Sequence, residues 1–353
     1  ASLGDAELLI KTFGLPDDVR AYAYTLGLLP VMKIEVANAQ AIWSLLDEKE
    51  KETGFTHRKG TINQVNYRAY AITDETDPVN AEVVVAINKG FLTITFSTSH
   101  VDETLLSTAL GLTKVENSLA DSKKIDNIIN KYKFKNGSVS FIDHIEFIKG
   151  LTTTDGNLLA QQLTQLSSSI GDDPTLTQMR GEQCASEFAM IAENWPRTVA
   201  GYTEVDISAK ESTIAISTTV ESKNSVILEA LSEIKGYIPQ YSSGLNDSVF
   251  AMALGFDVSK LTSTLNTIWS ELQTPTYSCK PLAQIQASVA QSGDSIGMIG
   301  MSANMANGIQ GIGFSILDYA ITRSNGEPQL DSLDALITIS ATDPEQLFNT
   351  MKM

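Results

Sequence analysis

The chain has 353 residues, enough for two or more domains, and 42% of them are hydrophobic while 19% are charged. That balance predicts a buried core and a folded chain. The formal net charge is −17 at pH 7, which argues against nucleic acid and anionic lipid surfaces, because both require a basic patch. No run of roughly 18 apolar residues occurs, so no transmembrane helix is predicted.

The N-terminus and the cysteines bear on the cellular compartment. The chain begins at Ala1 without a methionine or an apolar leader, as expected of a mature secreted form or of a trimmed chain. Cys184 and Cys279 are compatible with one disulfide or with two buried thiols. Both lie in polar or loop-like segments of an acidic chain, which favours the disulfide and export from the cytosol.

A β-hairpin followed by a helix is the clearest local pattern. Residues 83–87 form an apolar run that leads to the turn Asn88-Lys89-Gly90, and residues 91–96 then alternate apolar side chains with threonine. This pattern predicts a hairpin. A helix then begins near Asp102 and ends at Gly111, where glycine favours a helix terminus.

Two later segments have the same order of elements. One spans residues 199–236, with a hairpin turn near residues 209–212 and a helix from about Asn224 to Lys235. The other runs from residue 311 to the C-terminus, with a turn at residues 324–326. Its last helix begins at Asp343-Pro344-Glu345, which combines an N-cap with proline at the first helical position.

Short matches between the two halves of the chain suggest a duplicated module. Ile42-Trp43-Ser44 recurs as Ile268-Trp269-Ser270, an offset of 269 − 43 = 226. Ile94-Thr95 recurs as Ile337-Thr338, an offset of 337 − 94 = 243. We therefore expect two related modules, each built of antiparallel hairpins followed by helices.

A helical connector is predicted between these modules. One helix is expected over residues 156–169 and another over residues 176–194, where Trp195-Pro196 ends it. The resulting division is an N-terminal α+β module (1–155), a helical connector (156–198) and a C-terminal α+β module (199–353). The predicted fold class is α+β, with antiparallel sheets packed against helices.

Motifs for catalysis, metals and cofactors are missing from the sequence. His57, His100 and His144 are far apart, and no zinc-ligand spacing, nucleophile elbow or phosphate-binding loop occurs. Asp143 precedes His144 in a predicted strand (138–148), where alternation would direct the two side chains to opposite faces. We therefore predict no catalytic residue, no metal and no cofactor. Glycines between 308 and 313 are interpreted as permitting close strand packing or a bulge.

A methionine-rich segment is the one candidate binding element. Met298, Met301 and Met305, together with Phe314, are candidate lining for an apolar ligand, because methionine adapts to irregular apolar surfaces. The alternative is a glycine- and methionine-lined strand packed in the core.

Three segments carry a resemblance to known proteins: Leu15-Pro16-Asp17-Asp18, residues 117–122, and Cys184 with residues 195–202. In them the chain resembles an uncharacterised envelope family of Gram-negative bacteria, a domain of unknown function. Members are commonly predicted to be exported proteins or lipoproteins. The resemblance implies a signal peptide, export and a non-catalytic role, and it brings no catalytic residues. A lipid anchor would belong to a removed N-terminal segment.

The sequence therefore predicts an exported, non-catalytic binding or scaffold protein of the cell envelope, periplasmic or tethered to the outer membrane. Its expected partner is an envelope protein or an apolar small molecule. One alternative is a carrier of a lipid or acyl chain, held in a cavity between sheet and helices. Another is an enzyme of unrecognised type, which would require histidines or carboxylates to converge in a cleft.

Overall fold

A computed structural model of the chain describes residues 6–74, 80–116, 118–135, 137–208, 212–238, 248–291, 298–299, 303, 306–324 and 327–351. The chain divides into two compact units, Ala1–Glu221 (unit 1) and Ser222–Met353 (unit 2). The described residues form helices and antiparallel sheets, which confirms the predicted α+β class. The predicted boundaries at residues 155 and 198 stay a prediction of domain organisation.

The larger sheet of unit 1 has six strands. They are β1 (Ala21–Leu26), β2 (Leu29–Glu35), β3 (Arg58–Ile62), β4 (Val65–Ala71), β5 (Glu82–Asn88) and β6 (Phe91–Ser97). Their order across the sheet is β1-β2-β6-β5-β4-β3, and all neighbours are antiparallel. Lys89 and Gly90 join β5 to β6 at φ values of 48° and 79°, as in a two-residue type I′ turn. The hairpin predicted here is confirmed.

Helices cover both faces of this sheet. They are α1 (Ala6–Phe13), α2 (Ala39–Thr53) and α3 (Glu103–Ala109). Strand alternation places Val84 in a core cluster with Leu106 of α3, whereas Val85 packs in a cluster with Ile42 of α2. Asp102 caps α3 as the sequence predicts, its side chain accepting from the backbone N–H of Leu105. The centre of the sheet, at β5, is therefore buried on both sides.

In its described residues, the rest of unit 1 combines a three-stranded sheet with five helices. The strands are β7 (Ser140–Asp143), β8 (Arg197–Ile207) and β9 (Ser212–Glu221), in the order β7-β8-β9. The helices are α4 (Lys124–Tyr132), α5 (His144–Thr152), α6 (Leu158–Ile170), α7 (Pro174–Met179) and α8 (Glu182–Asn194). Val199 of β8 is fully buried against Ile128 of α4 and Phe134.

Unit 2 contains one antiparallel sheet and four helices in its described part. The strands are β10 (Phe250–Gly255), β11 (Ile309–Ser324) and β12 (Glu327–Ala341), with β11 in the centre. The helices are α9 (Ser225–Glu233), α10 (Val258–Gln273), α11 (Lys280–Gln291) and α12 (Pro344–Met351). Ile227 and Ala230 are the buried residues of α9, and the buried Thr264 of α10 donates its hydroxyl to the carbonyl of Ala230.

The single helix predicted over residues 176–194 is wrong in extent. The structure has two helices there, α7 and α8, separated at Arg180 and Gly181. Asp173 caps α7, and Pro174 occupies its first turn, so the helix begins earlier than predicted. Gly181 has extended backbone angles and is the N-cap of α8, so the second helix starts anew at Glu182.

The strand predicted over residues 138–148 is also wrong beyond Asp143. The Asp143 side chain accepts a hydrogen bond from the backbone N–H of Glu146 at 3.2 Å, which makes it the N-cap of α5. His144 is consequently the first residue of a helix. The argument that strand alternation separates Asp143 from His144 does not apply.

The predicted duplication is not established by the structure. Both tryptophan segments lie in a helix that follows a strand, but Trp43 is the fifth residue of α2 and Trp269 is the twelfth of α10. The helices therefore begin at different distances from the matching residues. The internal repeat stays a prediction.

Helix length bears on the prediction that the chain has no transmembrane segment. Among the described residues, no helix is both long enough and apolar enough to cross a bilayer. This agrees with that prediction.

Candidate functional site

An apolar cleft in unit 2 is the candidate binding site. It has a volume of about 450 Å³ and lies between the start of α10, the start of β11 and the segment that precedes β11. The lining residues are Phe256, Val258, Leu261, Met298, Ile299, Ala303, Ala306, Ile309 and Ile312. The cleft thus has sheet residues on one side and helical residues on the other.

The first wall is fixed by the junction between β10 and α10. Asp257 caps α10, and its side chain accepts hydrogen bonds from the backbone N–H and the hydroxyl of Ser259, at 2.9 and 2.6 Å. This cap sets the direction of the first turn. Val258 and Leu261 are three residues apart and therefore lie on the same side of the helix. Both contribute to the cleft.

The second wall is fixed by backbone hydrogen bonds at the start of β11. The carbonyl of Gln310 accepts from the N–H of Phe256 at 3.0 Å and from the N–H of Tyr237 at 2.8 Å. The pairing of β11 with β12 shifts register between Ile309 and Gly311. The glycine cluster therefore serves a bulge and a close strand approach, as the sequence predicts.

The lining determines which chemistry the cleft can support. The nine lining residues that the structure describes are all Phe, Val, Leu, Met, Ile or Ala, so none of these nine offers an ionisable group or a side-chain hydrogen-bond donor. Such a site cannot compensate a ligand's buried polar atoms, but it removes hydrocarbon surface from water. The arrangement is suited to binding an apolar chain.

The methionine segment is only partly within the described structure. Met298 lines the cleft and is 64% exposed, so it is accessible to a ligand. Met301 and Met305 lie outside the described residues. Phe314 is half-buried on β11, two residues beyond Ile312 and on the same side of the strand, but it does not line the cleft.

The remaining lining residues have no local sequence signal that would single them out. Phe256 and Val258 belong to a strand–helix junction, and Ile309 lies about 50 positions later in the chain. Their proximity depends on the antiparallel pairing of β10 with β11. A search for motifs could find Met298 but not its neighbours.

The two cysteines are paired. Cys184, in α8, and Cys279, just before α11, form a disulfide. Of the two alternatives that the sequence left open, the disulfide is confirmed.

A second cluster, in unit 1, gathers charged and polar groups around Glu50 of α2. Its Oε1 accepts from the hydroxyl of Tyr70 and from Nδ1 of His57, each at 2.7 Å, and Arg68 lies 3.4 Å away. The hydrogen bond from Tyr70, with the contacts to His57 and Arg68, lowers the pKa of the Glu50 carboxyl. Asp47 pairs with Arg68 at 2.7 Å, and this hydrogen bond lowers the pKa of Asp47.

The geometry of this cluster favours a structural role. The guanidinium of Arg68 lies 4.8 Å from the ring centre of Trp43, so α2 is held to β4 by charge, hydrogen bonds and stacking together. His57 Nε2 is buried and has no hydrogen-bond partner within the described part of the chain. The cluster was not predicted, because its members come from three elements and match no motif.

The other two histidines lie elsewhere in unit 1. His144 donates from Nδ1 to the carbonyl of Trp195 at 2.7 Å, and its Nε2 lies 3.1 Å from the hydroxyl of Thr198. His100 lies 3.2 Å from the hydroxyl of Ser99. Among the described residues, no group of three or more His, Cys, Asp or Glu side chains could hold a metal ion.

No protein-family model, curated protein or solved structure matches this chain significantly. The resemblance to an envelope family therefore stays a prediction. The protein is defined by its α+β fold and by the apolar cleft of unit 2.

Proposed function

We propose that this protein is a non-catalytic binding protein and that it holds an apolar chain, such as a lipid acyl chain, in the cleft of unit 2. The observation that carries the proposal is the lining of nine apolar residues between the sheet and α10. Of the functions predicted from the sequence, it is the apolar carrier that this geometry favours.

The size and composition of the cleft support a hydrocarbon ligand. Its volume of about 450 Å³ falls within the range of roughly 300–1,000 Å³ that is typical of small-molecule sites. A polar ligand would lose hydrogen bonds to water without regaining them. Met298, which is exposed in the cleft lining, can adjust to chains of different shape, because methionine is flexible and polarisable.

A location in the cell envelope forms part of the same proposal. The Cys184–Cys279 disulfide supports an oxidising compartment, where disulfides persist. The net charge of −17 supports a partner that is neither nucleic acid nor an anionic membrane surface. An exported carrier or scaffold of the envelope, periplasmic or tethered by a lipoprotein anchor, is consistent with both.

Filling the cleft tests its role as the binding site. Ala306→Trp places an indole ring among the lining residues. We expect it to raise the dissociation constant for palmitate tenfold or more, which corresponds to a loss of about 1.4 kcal/mol in binding free energy. Binding is measured with the delipidated protein, by native mass spectrometry with palmitate and by displacement of a fluorescent naphthalene sulfonate probe. Circular dichroism shows whether the variant is folded.

The matched control is Ala287→Trp on α11. Ala287 is exposed and does not line the cleft, so the same substitution should leave palmitate binding unchanged. Wild-type protein that binds no palmitate, or two variants that lose it equally, would contradict the assignment of the cleft.

A further inference from the structure

One face of the sheet in unit 2 consists of apolar side chains. Opposed residues on antiparallel strands point to the same side of a sheet, and the register aligns them in rows. Met252, Phe314 and Ile337 form one row, and Leu254, Ile312 and Ile339 form the next. We call the side that carries these rows the apolar face.

The apolar face continues along the β11–β12 hairpin. Tyr319 is opposite Leu333 on the same side, beyond a register shift that follows Ile316. Asp318 and Asp334 are opposed to each other on the other side of the hairpin. From the row of Leu254 to the row of Tyr319 and Leu333, the apolar face therefore carries no charged side chain.

Much of this face is accessible to solvent. The large apolar residues named above are exposed, except Phe314, and Phe250, Ile321 and Leu330 on the same side bring their number to ten. Ile337, in the central row, is 68% exposed. On the opposite side of the sheet Gly311, Gly313 and Ser315 are buried. Beyond Ile312, which also lines the cleft, the sheet thus places small residues on its buried side and large apolar residues on its exposed side, the reverse of a sheet that faces water.

The exposed area is comparable to a stable protein interface. Aromatic side chains bury roughly 150–250 Å²; at the lower end of that range, ten residues at about half exposure present on the order of 750 Å². A standard interface buries about 800 Å² per partner, and contiguous apolar patches on monomers rarely exceed roughly 600 Å². This face therefore needs a partner of protein size.

We propose that the apolar face is the interface of a symmetric homodimer, in which it packs against the same face of a second copy of this chain. Two sheets packed in this way are about 10 Å apart, as in a β-sandwich. A two-fold interface is self-complementary, because the same surface patch of both copies forms the contact.

Charge favours a second copy over a lipid surface. The chain carries a net charge of −17, yet the apolar face brings no like charges together, and charges farther than about 8 Å apart are screened at physiological salt. The rows from Leu254 to Leu333 also lack lysine, arginine and tryptophan, the residues that anchor proteins to lipid headgroups. Remaining repulsion between the acidic copies should make the dimer stronger as salt concentration rises.

Sedimentation equilibrium of the delipidated full chain tests the proposal. We expect a mass twice that of the 38.2 kDa chain and tighter association at high salt. Ile337→Glu buries two carboxylates in the centre of the interface and should raise the dissociation constant at least about 100-fold. Met252→Glu, on the neighbouring strand, should do the same and provides a second variant if the first fails to fold.

The matched control is Ile216→Glu on β9, a strand residue that is 66% exposed and belongs to unit 1. It should remain dimeric. A wild-type monomer at all soluble concentrations overturns the proposal, and so does dissociation by Ile216→Glu but not by Ile337→Glu. Monomers that float with phosphatidylcholine vesicles would assign the face to lipid instead. Ile312 belongs both to the apolar face and to the cleft lining, but none of the three substituted residues lines the cleft. Palmitate binding measured on wild type and on Ile337→Glu therefore distinguishes a failure of the cleft proposal from a failure of the dimer.

Discussion

Gly311 sets how closely the chain can pack at the start of β11. A Cβ atom at this position would lie 2.3 Å from the carbonyl oxygen of Tyr237 and 3.2 Å from that of Leu254. Both neighbours are backbone atoms, and Tyr237 is held by its hydrogen bond to Gln310. Only glycine therefore fits at this position without displacing backbone atoms, and the bulge beside the cleft depends on it.

Replacing this glycine should be costly. Gly311→Ala forces the strand away from Tyr237, and we expect a loss of about 1–3 kcal/mol in the free energy of unfolding, as for overpacked sites. Urea denaturation followed by circular dichroism measures it. Thr218→Ala, at an exposed position of β9, is the comparison, because it adds no atom to a packed site. Equal effects of the two substitutions would contradict the packing argument.

At the scale of elements, Glu221 connects the β8–β9 hairpin to α4. Its carboxylate accepts from Lys131 at 2.8 Å, from the hydroxyl of Tyr132 at 2.6 Å and from Arg197 at 2.8 Å. Burial acts to raise the pKa of Glu221, but these three donors outweigh it and lower the pKa to about 2. The last residue of β9 is thus tied to both neighbouring elements.

The lowered pKa predicts how stability changes with pH. The folded-state pKa of Glu221 lies below the ordinary value of 4.5. The ionised carboxylate therefore contributes fully to the free energy of unfolding above pH 4.5, and this contribution is lost as the pH falls toward about 2. At pH 7, Glu221→Gln should lower the free energy of unfolding by about 1–3 kcal/mol. The difference from wild type should disappear near pH 2, as measured by urea denaturation at a series of pH values.

Glu204→Gln provides the control in the same hairpin. Glu204 is exposed on β8, so its substitution should have little effect at any pH. A loss for Glu221→Gln that is as large at pH 2 as at pH 7 would show that packing, rather than the charge, is responsible.

Elements with local sequence signals could be predicted from the sequence. Boundaries that are set by one N-cap residue within a longer apolar pattern could not. The β5–β6 and β11–β12 hairpins follow from alternation and turn residues near one another in the chain. The break before α8 and the end of β7 depend on Gly181 and Asp143, which act as N-caps. Apolar periodicity extends past both residues and hides these boundaries.

The residues of the candidate site could likewise be predicted only in part from the sequence. Met298 could be predicted as lining because methionine is informative by type. Phe256 and Ile309 are ordinary core residues in sequence, and only the β10–β11 pairing brings their segments together. The apolar face could be identified only from the strand register. The sequence shows alternation along each strand, but it does not show which side of the sheet is covered by other parts of the protein.

At the scale of the whole molecule, one covalent bond joins positions that are far apart in sequence. Cys184 and Cys279 are separated by 279 − 184 = 95 positions and form a disulfide. In the chain-entropy model, a loop of this length restricts the unfolded chain enough to stabilise the fold by roughly 4–5 kcal/mol. The pairing could not be decided from sequence, because spacing alone is also compatible with free thiols.

Reduction should therefore destabilise the protein strongly. We expect the urea midpoint to fall when a phosphine reductant is present, and the oxidised chain to be about 2 Da lighter than the reduced one by mass spectrometry. The double variant Cys184→Ser/Cys279→Ser should unfold at the same midpoint with and without reductant. An unchanged wild-type midpoint would contradict the expected stabilisation. If the expectation holds, the chain made in a reducing cytosol should be less stable than the same chain made in the periplasm, which connects this bond to the proposed export.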